Sequence, residues 1–244
     1  MRLLVLGGTR FLSHAVAADA VARGHDVTCA ARGSSGQVPT GARLVRVDRD
    51  ADNGLDALTG DFDAVVDVAR ISFSWVRRAL DTLAGRVGHW SFVSSISVYA
   101  SPDTLSDELL PPREIDDEPE SYGQIKVACE NAILEAFPDA FIARAGLITG
   151  PGDLSDRFGY WPARMSRGGR VAVPDADHPI GHIDVRDAAA WLVDVAEGQV
   201  KGTFDVTGPA VPLSSLLRDI ATDFDVELVP VAEATLAEHG VGPW

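Results

Sequence analysis

Residues 2–13 read RLLVLGGTRFLS, and this stretch decides the fold. Four apolar residues, Leu3 to Leu6, run straight into Gly7-Gly8, and from residue 11 an Ala- and Val-rich pattern continues to residue 23 and stops at Gly24. The reading is a strand, a tight turn and a helix. At such a turn, backbone N–H groups and the helix N-terminus can face a pyrophosphate, with no side chain barring its approach. Gly7, Gly8, Thr9, Arg10, Phe11 and Leu12 are therefore candidate phosphate-binding residues. The full G-x-G-x-x-G spacing is absent, because Arg10 and Ser13 stand where later glycines would fall, so an ordinary strand-to-helix turn is the other reading.

Working outward, strands are expected over 26–31, 44–47, 64–68, 90–93 and 140–143, each bounded by Gly, Asp or Pro. Helices are expected over 72–84, where Trp75, Val76, Leu80 and Leu83 recur at helical spacing, and over 121–137, stopped by Pro138. Strands that are apolar throughout and alternate with helices imply an α/β fold, a doubly wound parallel sheet covered on both faces. In that architecture ligands sit at the carboxyl ends of the strands. Beyond Gly150 the pattern loosens through Gly150-Pro151-Gly152, Gly168-Gly169 and Pro174. The expected division is a dinucleotide-binding core at 1–150, rejoined around 180–206, and a smaller C-terminal substrate-side lobe at 151–244. The acidic stretch 113–120 reads as a solvated loop.

The chain has 244 residues, 46% hydrophobic and 23% charged, the composition of a folded globular protein with one sizeable core. Its formal charge of −15 repels polyanions, which argues against nucleic acid and anionic membrane surfaces as partners. No apolar run approaches the roughly 18 residues of a membrane span, and the N-terminal run is too short for an export signal. Cys29 and Cys129 stand a hundred positions apart with no metal-ligand spacing, so neither a disulfide nor a metal site is expected, and the default location is cytoplasmic.

The end of the second strand bears on the choice of dinucleotide. An acidic residue there accepts hydrogen bonds from the adenosine ribose of NAD. This chain instead runs Cys29-Ala30-Ala31-Arg32, and a guanidinium attracts a 2′-phosphate, which favours NADP and leaves NAD open. A solvent-facing surface role is the alternative for Arg32. Asp48 can bond an adenine amino group or cap a turn, and Val68 and Ala69 end the fourth strand on the cofactor side.

Only two lysines and three tyrosines occur in the chain, yet Tyr122 and Lys126 form a Tyr-x-x-x-Lys pair on the long helix. That spacing puts phenol and ammonium on one face. A nearby cation favours the phenolate, making Tyr122 a candidate general acid or base with Lys126 as its tuning charge. The fifth strand ends in Val93-Ser94-Ser95-Ile96-Ser97, where a serine hydroxyl can donate to a substrate carbonyl.

These motifs, VLGGTRFLS (5–13), FVSSISVYA (92–100), SYGQIKVACE (121–130), ARAGLITGPGD (143–153) and GHIDVRDAA (181–189), resemble the short-chain dehydrogenase/reductase superfamily in its extended or atypical NAD-dependent epimerase/dehydratase branch. The resemblance spans residues 2 to about 208. It implies a Rossmann fold, catalytic roles for Ser95, Tyr122 and Lys126, and nicotinamide-ribose binding by Lys126. It also implies hydride transfer at the nicotinamide while Tyr122 carries the proton, and dimers formed through helices flanking the tyrosine. The chain departs from the family in its GGxxxxS glycine motif and in lacking the upstream asparagine of the proton relay, for which water or Ser97 would substitute. Relatives commonly continue past this endpoint, so a chain stopping at Trp244 is expected to lack part of the substrate lid.

Between Gly152 and Arg170, four arginines interleave with aromatics, which suits an anionic or nucleotide-linked substrate held by Tyr160, Trp161, Arg164 and Ser97; arginines pairing with the surplus carboxylates are the alternative. His182 and Asp184 are expected to fix strand and lobe packing. The functional expectation is an NADP-dependent reductase, epimerase or dehydratase, with a catalytically idle NADP-binding regulator as the competing class.

Overall fold

The computed structural model describes residues 1–69, 72–101, 107–115 and 121–240. The later part of the expected acidic loop, 116–120, and the chain end at 241–244 lie outside the described residues. In chain order the elements are β1 (Arg2–Leu6), α1 (Phe11–Ala22), β2 (Asp26–Ala31), β3 (Arg43–Arg46), β4 (Ala64–Asp67), α2 (Phe73–Leu83), β5 (Trp90–Ser95) and a 3-10 turn at Ile96–Val98. These are followed by α3 (Tyr122–Ala136), β6 (Phe141–Ala145), β7 (Leu147–Thr149), α4 (Tyr160–Met165), β8 (Gly169–Pro174), β9 (Pro179–Ile180), β10 (His182–Asp184) and α5 (Val185–Gly198). The last are β11 (Gly202–Val206), β12 (Val211–Pro212), α6 (Leu213–Ala221), β13 (Val226–Val231) and α7 (Glu233–Glu238).

The chain forms two compact units, one built from Met1–Gly146 and Asp184–Val206, the other from Leu147–Ile183 and the chain from Thr207 onward. The first is a seven-stranded parallel sheet in the order β11-β6-β5-β4-β1-β2-β3. Leu3 to Leu6 and all of β5 are buried because helices cover both faces, which is why these strands are apolar throughout rather than alternating. Helix α1 packs on α5, and α2 on α3. At the end of α1, Arg23 reaches Asp194, Glu197 and the Ala190 carbonyl of α5. Helix α2 is amphipathic, burying Val76, Ala79, Leu80 and Leu83, and it is capped by Ser72 Oγ, which accepts from the Trp75 N–H at 3.2 Å.

Two strands run further than their apolar residues suggest. The fifth continues past 93 because Ser94 and Ser95 pair with Arg144 and Ala145 of β6, which itself extends beyond 143. Those polar positions are tolerated because each finds a partner, as described below.

The second unit has its own core of Trp161, Met165, Val171, Val173, Leu213 and Leu217. In it β8 pairs in parallel with β13, β9 antiparallel with β12, and β7 with β10.

Candidate functional site

The first two positions of the turn between β1 and α1 have no room for side chains. Gly7 and Gly8 sit at φ +134° and +101°, and a Cβ added to them would come within 2.9 Å of Ser13 Cβ and 2.4 Å of Cys29 Sγ. Both conformation and close approach therefore require glycine. Arg10 precedes α1 in an extended conformation and its side chain makes no cap, leaving the first-turn N–H groups without a side-chain acceptor among the described residues. The Ser13 hydroxyl instead donates back to the Arg10 carbonyl at 2.8 Å. Thr9 Oγ1 lies 2.9 Å from Ser35 Oγ, which ties the following loop over the turn. Leu12, expected near the phosphates, points its side chain into the core, being 4% exposed, so only its backbone is available there.

Beside this turn a cavity of about 150 Å³ opens at the ends of β1, β2 and β4, lined by Leu6, Gly7, Ala30, Ala31, Arg32, Ser35, Val47, Arg49, Val68 and Trp75. Arg32 is more than half exposed, and its guanidinium donates to the Asp50 carboxylate at 3.4 Å. The Asp48 carboxylate accepts from the Asp50 N–H at 3.1 Å, so it serves the turn-capping alternative. Arg49 escapes a motif-based reading altogether. It forms a two-pronged ion pair with the fully buried Asp67, at 2.9 and 3.2 Å, and donates to the Trp75 carbonyl at 2.9 Å. The one available sequence signal is an aspartate inside the otherwise apolar AVVDV strand, which demands a buried partner.

Further across the same sheet, Ser95 closes β5. Its Oγ accepts from the Ser97 N–H and lies within hydrogen-bonding reach of Ser97 Oγ, both at 3.1 Å. Helix α3 begins directly against this turn, and a Cβ on Gly123 would meet the Ser97 carbonyl at 2.0 Å. The glycine thus lets the first turn of α3, with half-buried Tyr122, sit on the Ser95–Ser97 backbone. One turn on, Lys126 is 3% exposed, with its Nζ 5.8 Å from the Tyr122 ring centre and 4.7 Å from that of Phe92. The ammonium donates to the carbonyls of Ala69 at 2.5 Å and Val93 at 2.8 Å, linking α3 to the ends of β4 and β5. Burial pulls the lysine down to about 8, against the opposing pull of the Cys129, Asp67 and Glu130 side chains.

Behind Ser95 lies a second buried polar group. Ser94 donates to Glu130 at 2.5 Å, Glu130 pairs with Arg144 at 2.7 Å, and Arg144 reaches the Tyr99 hydroxyl at 3.1 Å. Tyr99 in turn donates to Asp205 of β11 at 2.8 Å. This network braces β5, β6 and α3 around the serine–tyrosine–lysine set.

In the second unit the substrate-side candidates separate. Tyr160 is 47% exposed, but Trp161, its T-stacked neighbour, is a core residue at 8%. Arg164 donates to the Gly168 and Arg170 carbonyls, closing the turn after α4, so its guanidinium is spent on the backbone. His182 packs against Phe158 with ring centres 5.4 Å apart, and Asp184 caps α5 by accepting from the Arg186 N–H at 2.8 Å. Among the described residues no group of three His, Cys, Asp or Glu side chains is placed to hold a metal ion, and no helix is long and apolar enough to cross a membrane.

No protein-family model and no curated protein matches this sequence. Solved structures do match in fold. A UDP-N-acetylglucosamine 4-epimerase from Bacillus cereus superposes with a TM-score of 0.75 at 17% identity, covering 98% of this chain and 89% of its own. The UDP-N-acetylglucosamine 4-epimerase of Methanobrevibacter ruminantium M1, in complex with UDP-N-acetylmuramic acid, gives 0.74 at 19%, covering 95% and 86%. The UDP-glucose 4-epimerase of Thermus thermophilus, in complex with NAD, gives 0.71 at 16%, covering 100% and 94%. The chain has the Rossmann-type fold of these epimerases.

Proposed function

We propose that this chain is an NAD(P)-dependent oxidoreductase of the short-chain dehydrogenase/reductase type, acting between a carbonyl and a hydroxyl on a nucleotide-linked or other anionic substrate. The observation that carries this reading is the placement of buried Lys126, 5.8 Å from the centre of the Tyr122 ring and bonded to the Val93 carbonyl two residues before Ser95, in the unit that also holds the Gly7-Gly8 turn. The residues present suit a dinucleotide on two counts. The start of α1 is not capped by the Arg10 side chain, and the buried Nε of Arg49, a residue lining the adjoining cavity, has no hydrogen-bond partner among the described residues.

A bound nicotinamide would supply the hydride. The protein's own part is to position and protonate. Backbone N–H groups at the start of α1 would hold the pyrophosphate. The weakly engaged guanidinium of Arg32 is available for a 2′-phosphate, which supports NADP over NAD. Ser95 would donate a hydrogen bond to the substrate oxygen, keeping its own proton. Tyr122 would exchange the proton at that oxygen, its phenolate favoured by the Lys126 ammonium. Ser97, in contact with Ser95, stands where a relay to solvent can begin. For the substrate class, support comes from the UDP-linked ligand of the Methanobrevibacter epimerase and from exposed Tyr160 in the second unit.

The test is turnover of NADPH and NADH against a panel of simple carbonyls and UDP-sugars, wild type beside Tyr122→Phe. The phenylalanine variant is expected to lose about 100-fold or more in kcat, the size of a general acid–base contribution, while binding NADPH as the wild type does. Unchanged turnover, or no binding of either dinucleotide by the wild type, overturns the proposal.

A further inference from the structure

We propose that β11 is a docking edge for a second copy of this chain, the two strands pairing antiparallel about a two-fold axis at Thr203 and joining two seven-stranded sheets. The surface lies apart from the serine–tyrosine–lysine set and does not depend on the chemistry proposed above. Strand β11 ends the sheet, pairing with β6 on one side and with no strand among the described residues on the other. Gly202 to Asp205 are exposed, and Phe204 keeps 46% of its surface open even though its ring stacks on Phe141 and meets Trp191 edge-on. An edge strand is normally guarded by like charges, a proline or a bulge. The opposite margin of this sheet is guarded in that way: β3 has Arg43 at one end and Arg46 at the other, and a second copy would set like charges against each other.

Backbone alternation and charge fix the register. The Gly202 N–H donates to the Ala140 carbonyl and the Val206 carbonyl accepts from the Gly146 N–H, so these residues turn towards β6. By alternation along the strand, the N–H and C=O of Thr203 and Asp205 and the C=O of Lys201 point outward. With Thr203 opposite its own copy, the two threonines exchange both bonds, and each Asp205 N–H meets the Lys201 carbonyl of the second copy. Side chains match in the same register. Lys201-Gly202-Thr203-Phe204-Asp205, read against its own reverse, sets lysine opposite aspartate, threonine opposite threonine, and phenylalanine opposite glycine, where the ring covers bare backbone. The segment is locally neutral in a chain of net charge −15, whose repulsion elsewhere opposes contact between copies. Within its own chain Lys201 pairs with Asp139 in an exposed contact that is readily exchanged, and Tyr99 occupies Oδ1 of Asp205. This self-complementarity singles out a second copy over an unrelated extended peptide.

The test is sedimentation velocity of the full chain up to about 100 µM, a range that covers micromolar dissociation constants, with amide hydrogen exchange at both ends of the range. Wild type is expected to sediment as a dimer at the upper end, with exchange slowed over residues 201–206 on association. Thr203→Pro removes an outward N–H and none of the bonds to β6, the one placement of proline that an edge strand tolerates. Lys201→Glu sets like charges opposite each other. Each variant is expected to weaken the dimer at least tenfold while keeping the circular dichroism spectrum of wild type. If Thr203→Pro unfolds the chain, Lys201→Glu, at an exposed side chain, decides alone. A wild type that stays monomeric, a folded variant whose dimer weakens less than tenfold, or slowed exchange confined to the helices instead of β11 overturns the assignment.

Discussion

Burying the Lys126 ammonium costs the folded chain free energy that its hydrogen bonds to Ala69 and Val93 only partly return. The amine titrates near 8 when folded, against an ordinary 10.5. Below pH 8 both states carry the proton and the cost is fully present. Between the two values the unfolded chain still binds a proton that the folded chain has released, so stability rises with pH across this window, by about 3 kcal/mol at full extent. A Lys126→Met variant has no such titration. The melting temperature of wild type relative to this variant is therefore expected to climb steadily from pH 7.5 to 10 in thermal scans. A flat difference would show that the folded amine is not desolvated.

Elements, too, are set by contacts that can be tested one at a time. Exchanging a helical glycine for alanine usually stabilises by roughly 0.5–1 kcal/mol. At Gly123 the new methyl would lie 2.0 Å from the Ser97 carbonyl and 2.8 Å from Leu110 Cδ1. Overpacking of this kind costs about 1–3 kcal/mol and wins. Urea denaturation of Gly123→Ala is expected to show that loss, together with a fall in kcat as Tyr122 leaves the serine turn. Gly198→Ala, at the end of α5, meets nothing closer than Val200 Cγ2 at 3.5 Å, and is expected to be neutral or stabilising. The same contrast explains what sequence could and could not reveal. Strands, glycine turn and the tyrosine–lysine helix are local patterns and could be read directly. Buried polar groups such as Ser94 with Glu130 and Arg144, or Arg49 with Asp67, owe their places to partners distant along the chain, which periodicity does not register. Trp161 and Arg164, which sit in a small core and at a turn, left both readings open for the related reason that an aromatic–arginine cluster looks alike in sequence whether it serves a ligand, a core or a turn.

For the molecule as a whole, the net charge of −15 opposes the approach of any dinucleotide until the ligand reaches the local arginine. Screening by salt should then raise the association rate of NADPH between low and physiological ionic strength, as the Debye length shrinks towards about 8 Å. Stopped-flow fluorescence would detect this; a rate falling with salt would mean that local cations outweigh the overall field. The interleaving of the two units carries a further consequence, for synthesis. Strand β6 and the α5-facing side of α1 are complete when residue 146 leaves the ribosome, but β11 and α5, which cover them, lie in Asp184–Val206. At roughly 5–20 residues per second, the nascent chain carries a naked sheet margin and an uncovered helix for several seconds, an interval in which holdase chaperones have their opportunity to bind.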